Sequence, residues 1–291
     1  MNNGINSLNN RKDILVTGSN GFVGSFFKKN MNPLTSVFTS RSTADGTISL
    51  DLSKYEKLKI FFSEVNPKVL IHIAGNKDVN FCEKFPKDAR QINVTATQYL
   101  VELCKQHGTK FVYLSTDYVF DGKKGNYSEI DIPLPSSEYG KMKLESEKMI
   151  QSSGIEHIII RSGALYGQNG KFYQWAVNSL KEGIEIEALI DSFFTPTLLD
   201  DLYEITVKLL ILNFNGIIHI VGKDKVSRYQ MISKIADSLA ILNPKLKPMT
   251  ISESGMFFLP DLSLCPDKLN KELKIYTHTL EEGLKFLVSS F

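Results

Sequence analysis

The chain has 291 residues, with 34 Lys and Arg against 32 Asp and Glu, a formal charge of +2 and a hydrophobic fraction of 42%. This ordinary globular composition supports a sizeable core in one large domain or two intimately joined ones, and it excludes a disordered, collagenous or disulfide-scaffold protein. The near-zero charge creates no general field for nucleic acid or anionic lipid, so neither is expected as a partner.

Residues 1–11 begin MNNGINSLNN, with five Asn in ten residues and no apolar run, and read as a frayed extension rather than a signal peptide or anchor. The first apolar run, Ile14-Leu15-Val16, leads directly into T-G-S-N-G-F-V-G. A strand, a glycine turn and a helix with Phe22, Val23, Phe26 and Phe27 on its apolar face provide the context of a pyrophosphate-binding turn. Glycine admits the tight turn and close backbone approach, and free N–H groups opening the helix meet the anion. Gly18, Ser19, Asn20, Gly21, Phe22, Val23 and Gly24 are therefore candidate cofactor contacts, with GxxGxxG spacing rather than GxGxxG. The second run, SVFT at 36–39, is followed by Arg41, and VFTSRST contains no carboxylate. An acid at this strand end holds the ribose 2′-hydroxyl of NAD, whereas a guanidinium pairs with a 2′-phosphate. NADP(H) is therefore expected, with NAD(H) as the alternative.

Asp51-Leu52 follow a short strand and are expected at the adenine. Ser53 is expected to cap a helix over KYEKLKIFFSEV, which Pro67 follows. VLIHIA at 69–74 ends in Ala74-Gly75, at the crevice where a nicotinamide ribose lies in such sheets. Asp88 to His107 predicts a helix, with Ile92, Ala96, Tyr99 and Leu103 at helical intervals and Gly108 closing it.

KFVYL at 110–114 is the next strand, and Ser115, Thr116 and Asp117 follow at its carboxyl end, where open α/β sheets bind ligands. A hydroxyl there suits a substrate carbonyl. Asp117 suits a sugar hydroxyl or, equally, a turn. Downstream, Tyr139 and Lys143 form YxxxK and share one helix face. A neighbouring ammonium favours the phenolate and lowers the phenol from its usual pKa of about 10. Lys143 also suits a hydrogen bond to the nicotinamide ribose. IIIR at 158–161 supplies a further strand.

The alternation predicts a Rossmann-type doubly wound parallel α/β sheet over residues 12–167, completed by 198–222. Beyond Gly167, FYQWAVNSLKEG, LLDDLYEITVKLLILN, SRYQMISKIADSLA and LEEGLKFLVSS read as helices around one strand at Gly216–Val221. Residues 168–291 are thus expected to form a smaller, mostly helical substrate region, joined without a clean linker. Trp175 is expected in its core or lining a pocket. His72, on a buried strand, reads as a satisfied core group. Cys82, Cys104 and Cys265 lie far apart without CxxC, as in a reducing, cytoplasmic compartment. The five histidines have no metal-ligand spacing, so no metal is expected. No apolar stretch approaches the roughly 18 residues that a membrane span needs.

TGxxGxxG, STDYVFDG and YGKxKLExE, in this order, resemble the extended short-chain dehydrogenase/reductases and, within them, the dTDP-4-dehydrorhamnose reductase family. HIAGNKDVNFCEKFPKDARQINV, RSGALYG and FFTPTLLDDL extend the likeness over residues 12–222. The resemblance implies an NADPH-dependent oxidoreductase acting on a nucleotide-diphosphate 4-keto-6-deoxysugar, with a homodimer as the family expectation. It implies Tyr139 as proton donor, Lys143 as its partner and Thr116 as hydrogen-bond donor to the carbonyl. Gly21-Phe22-Val23, Asp51-Leu52 and Ala74-Gly75 would contact the cofactor, and Thr116, Asp117 and Tyr139 the sugar nucleotide.

Departures from the family pattern concern the substrate. Ala164 stands in RSGALYG where members often carry Trp. Asp191 to Thr197 reads D-S-F-F-T-P-T for D-Q-x-G-x-P-T, so Ser192 replaces an amide and Phe194 a small residue. Leu259-Pro260 stands for the usual Arg-Pro. The chemistry is expected intact and the pocket altered. A sugar-nucleotide epimerase or dehydratase is the second enzymatic reading, the dehydratase weakened because Asp117-Tyr118 rather than Asp-Glu follows Thr116. The likeness extends to the regulatory β subunit of methionine adenosyltransferase, so a non-catalytic NADP-binding regulatory subunit is the third.

Overall fold

In the computed structural model, which describes residues 12–289, the extension expected at residues 1–11 lies outside the described part. β1 (Ile14–Thr17) forms because each of its residues is apolar or β-branched, and Leu15 and Val16 are fully enclosed. The chain continues through α1 (Phe22–Asn30), β2 (Ser36–Ser40), β3 (Ile48–Ser49), α2 (Tyr55–Val65), β4 (Val69–His72), α3 (Val79–Lys84), α4 (Pro86–Arg90), α5 (Ala96–His107), β5 (Lys110–Thr116), α6 (Glu138–Ser152) and β6 (His157–Ser162). It then runs through β7 (Leu165–Tyr166), α7 (Lys171–Lys181), β8 (Ile186–Leu189), β9 (Phe193–Phe194), β10 (Thr197–Leu198), α8 (Leu199–Ile211), β11 (Gly216–His219), β12 (Val226–Ser227), α9 (Arg228–Ser238), β13 (Leu246–Met249), α10 (Ile251–Ser254) and α11 (Leu280–Ser289).

Seven strands make one sheet in the order β11-β6-β5-β4-β1-β2-β3. β1 pairs in parallel with both β2 and β4, Ile14 lying opposite Ser36 on one side and Val69 on the other. β3 extends the sheet beyond β2, and β5 beyond β4, also in parallel. The winding reverses between β1 and β4, the switch point at which a Rossmann-type sheet opens its ligand crevice.

The chain divides into two units. Among the described residues, the first holds 12–115 together with Ser137–Ile159, and the second holds Thr116–Ser136 and 160–289. Residues 116–136 join the second unit because their backbone pairs with a distant segment: Tyr127 N donates to Ser263 O, and Cys265 N to Tyr127 O. The core of the second unit gathers Tyr173, Ala176 and Leu180 of α7 with Met231 and Ile235 of α9 and Leu284 of α11.

Three local expectations are corrected. Ser53 does not cap α2, because its N–H and hydroxyl both donate to Asp51 Oδ1, at 3.0 and 2.7 Å, in an Asx turn. The helix expected over 88–107 carries a π-turn at Gln91–Thr95 between α4 and α5. Trp175 is 48% exposed, since α7 turns Tyr173, Ala176, Val177 and Leu180 inward and residue 175 falls on the opposite face. Among the described residues no helix is long and apolar enough to cross a membrane.

Candidate active site

The glycine turn sits against the end of β4. Gly18 has φ +76°, and a Cβ there would lie 2.7 Å from Ala74 N. A Cβ on Gly24 would lie 2.1 Å from Gly18 O, so α1 packs on the turn at a distance only glycine permits. Ser19 N donates to Thr39 O at 3.0 Å, and Asn20 Nδ2 donates to Ser42 O at 2.8 Å, tying the turn to the chain around Arg41. Ala74 N donates to Thr17 Oγ1 at 3.3 Å. α1 opens at Gly21 with no capping side chain and no acid in its first turn, so its leading N–H groups face outward as an anion site does. Arg41 is exposed past β2, and its carbonyl accepts from Ser49 Oγ at 3.0 Å. Asp51 and Leu52 follow β3. The Ser53 hydroxyl, assisted by the charges of Lys54 and Arg41, holds the Asp51 carboxyl below its ordinary value.

Ser137 caps α6 by accepting from Gly140 N at 3.1 Å, which places Tyr139 in the first turn and Lys143 in the next. The Tyr139 ring packs against Cys82, Ala89, Val94 and Met142. Lys143 is buried, donates from Nζ to Leu114 O at 2.6 Å, and lies 3.9 Å from the centre of the Tyr113 ring. Burial lowers its pKa to about 7, against the opposing pull of Glu147. Glu147 is itself fully buried and accepts from the Ser115 hydroxyl.

His72 joins these two regions. Its Nδ1 is 2.7 Å from Thr17 Oγ1, its Nε2 is 3.1 Å from Thr97 Oγ1, and its ring stacks on Tyr113 at 5.8 Å. Burial first, then the charge of Lys143, pushes its pKa down to about 3, so the imidazole is neutral. A continuous line of side chains, Thr17, His72, Tyr113 and Lys143, thus runs from the strand before the glycine turn to the YxxxK helix. His72 is the satisfied core group read in the sequence, and it also orders this line.

Asn93 and Ser137 escaped the sequence reading. Asn93 Oδ1 accepts from Asn76 N at 2.7 Å and its Nδ2 donates to Asn76 O at 2.9 Å, which fixes the loop after Gly75. The π-turn aims Asn93 at that loop. The available signal was an Asn inside an apolar helical pattern, a residue that competes for backbone hydrogen bonds.

The remaining candidates belong to the second unit. Thr116 Oγ1 donates to Asp117 Oδ1 at 2.9 Å and accepts from Tyr118 N at 3.3 Å. Asp117 is 5% exposed, and burial pushes its pKa up to about 7. Ala164 is exposed between β6 and β7, and its carbonyl accepts from Thr197 N at 3.0 Å. Ser192 Oγ donates to Leu259 O at 2.9 Å, and Phe194 is buried. The structure therefore gathers Gly18 to Gly24, Arg41, Asp51, Leu52, Ala74, Gly75, Tyr139 and Lys143 in one unit, and Thr116, Asp117 and Ala164 in the other.

Asp117 carries a pH signature. Its pKa rises from 3.8 to about 7 on folding, so the neutral carboxyl is favoured in the folded chain. That contribution is fully present below pH 3.8 and is lost as pH rises through 7. Asp117→Asn, neutral throughout, should gain melting temperature relative to wild type between pH 5 and pH 8, as scanning calorimetry at both values would show. A pH-independent difference would contradict the buried, raised carboxyl.

The RmlD substrate binding domain family matches residues 12–256. The probable low-salt glycan biosynthesis reductase Agl14 of Haloferax volcanii is 29% identical over 291 residues, covering 95% of this chain and 97% of that protein. Methionine adenosyltransferase 2 subunit beta of Rattus norvegicus is 28% identical over 254 residues, covering 82% of this chain and 75% of that one. The crystal structure of a dTDP-4-dehydrorhamnose reductase ortholog from Clostridium acetobutylicum matches with a TM-score of 0.86 at 28% identity, covering 95% of this chain and 98% of that one.

Proposed function

Because the chain belongs to the RmlD substrate binding domain family, we propose that it is an NADP(H)-dependent oxidoreductase that reduces the keto group of a nucleotide-diphosphate 4-keto-6-deoxysugar. The observation that carries this reading is Lys143, buried over Tyr113, one helical turn from Tyr139 and linked through His72 to the strand bearing the glycine turn. The names of the Haloferax and Clostridium relatives, both reductases, support the reaction class.

A dinucleotide fits the residues present. Glycine at 18 and 24 lets the turn lie against the backbone at Ala74 and lets α1 lie against the turn, and α1 opens without an acid or a side-chain cap. Gly18 to Gly24 would hold the pyrophosphate, Arg41 the 2′-phosphate, Asp51-Leu52 the adenine side and Ala74-Gly75 the nicotinamide ribose. When bound, NADPH supplies the hydride. Tyr139 gives its phenolic proton to the carbonyl oxygen as that oxygen becomes a hydroxyl. Protonated Lys143 favours the resulting phenolate and hydrogen-bonds the ribose. Thr116 would turn its one hydroxyl proton from Asp117 Oδ1 to the carbonyl, and the freed Asp117 oxygen would accept from a sugar hydroxyl. With Cys82, Cys104 and Cys265 all free thiols, a reducing, cytoplasmic compartment suits the protein.

The test is NADPH oxidation measured against a panel of nucleotide-linked 4-keto sugars. The expected result is stoichiometric oxidation with at least one of them. An isomerised sugar without net oxidation would replace the reductase by an epimerase. Inactivity on the whole panel, with copurification of a larger enzyme, would favour the regulatory role that the name of the rat relative describes.

Arg41 gives a narrower check. Removing an exposed guanidinium from a phosphate forfeits a charge-assisted hydrogen bond, so Arg41→Ala should raise KM for NADPH roughly tenfold while leaving KM for NADH unchanged. An unchanged ratio of the two would remove Arg41 from cofactor selection.

A further inference from the structure

The second unit contains a cation that the proposed reaction leaves without a task. Arg228 opens α9, whose capping needs are already met by Ser227 and Gln230 in a reciprocal capping box. Its guanidinium carbon lies 5.3 Å from the ring centre of Phe258, 5.6 Å from Phe194 and 5.7 Å from Phe172. Nε is enclosed and has no hydrogen-bond partner, while the residue as a whole keeps a partly open edge. Among the described residues its guanidinium makes neither an ion pair nor a hydrogen bond.

Three aromatic faces favour the positive charge, but they take up none of the five N–H donors that a guanidinium presents in its plane. The ionisable groups whose charge would favour Arg228 are Tyr118 and Asp117, and burial holds back ionisation of both. A planar donor fork, seated on apolar walls and lacking an anion, matches a phosphate or carboxylate by geometry. Phe194, one of the three walls, is the bulky residue standing where the resembled family is often small. Ala164 has meanwhile lost the aromatic ring. These departures fit a pocket that recognises charge.

We propose that Arg228 is a substrate-binding residue whose guanidinium receives the anionic oxygens of the sugar nucleotide, either its diphosphate or a carboxylate on the sugar. This rests on the reading that Thr116 and Asp117 meet that substrate. Arg228→Met tests it, because the flexible thioether fills the aromatic seat without charge. Arg228→Gln is the second variant, and an unchanged NADPH affinity identifies a folded one.

Calorimetric titration of dTDP, UDP, UDP-glucose and UDP-glucuronate into wild type and variant gives the readout. Loss of about 10- to 100-fold in dTDP or UDP affinity assigns Arg228 to the diphosphate. Unchanged dTDP, UDP and UDP-glucose affinity with the same loss for UDP-glucuronate assigns it to a sugar carboxylate. Unchanged affinity for all four, with NADPH bound normally, overturns the proposal and leaves Arg228 a packing residue. Binding is read without turnover, so this proposal can fail while keto-sugar reduction holds. Absence of reduction would leave the binding result standing.

Discussion

Tyr139→Phe should lower kcat by roughly 10²–10⁴-fold, the range for loss of a general acid, while NADPH affinity stays close to wild type. The substitution removes one oxygen from a ring that otherwise packs against Cys82, Ala89, Val94 and Met142, so the α6 anchorage survives. What is lost is the phenolic proton, one helical turn before Lys143 on α6. That lysine sits in a site where burial brings its pKa to about 7, so its charge is available near neutrality and withheld above it. Stopped-flow turnover and NADPH titration on the same preparation check the expectation. Wild-type turnover in the variant would exclude this phenol as the acid.

The second large effect concerns the glycine turn. In Gly24→Ala the new methyl would meet Gly18 O at 2.1 Å and Gly18 C and Ser19 Cα at 2.7 Å, all of them backbone atoms. No side chain is there to swing aside, so the turn or α1 must move. Overpacking of this kind costs on the order of 1–3 kcal/mol. At roughly 2–4 °C per kcal/mol for a chain of this size, melting should fall by several degrees. NADPH affinity should fall more than 100-fold (about 2.7 kcal/mol or more) if the turn holds the pyrophosphate as proposed. Gly21→Ala is the control for stability, because its nearest neighbour, Gly18 O, is 3.4 Å away and the added methyl makes ordinary contact. Equal melting shifts in the two variants would contradict the close approach of α1 to the turn.

Much of the first unit is legible in the sequence because its signals are local. The runs at Ile14, Val69 and Lys110 are dense in residues that suit doubly buried strands, and a helix keeps Tyr139 and Lys143 on one face whatever surrounds it. The glycine spacing likewise states its own geometry.

What escaped was set by tertiary partners. Residues 116–136 leave the first unit because Tyr127 pairs with Ser263 and Cys265, far along the chain. Ser53 could cap a helix, but Asp51 claims both its donors. Asn93 acquires its role from a π-turn that aims it at Asn76, which no periodicity announces. Trp175 has the composition of a core residue and the helical phase of a surface one. The seat of Arg228 is assembled from Phe172, Phe194 and Phe258, three phenylalanines with no common spacing in the chain.

The most direct test of hydride delivery with Tyr139 as acid is reduction of a nucleotide-linked 4-keto sugar with NADPH deuterated at nicotinamide C4. Reduction should place one deuterium on the former keto carbon for each NADPH consumed, and Tyr139→Phe should suppress that transfer. A converted sugar without deuterium, formed while the NADPH absorbance stays constant, would contradict it.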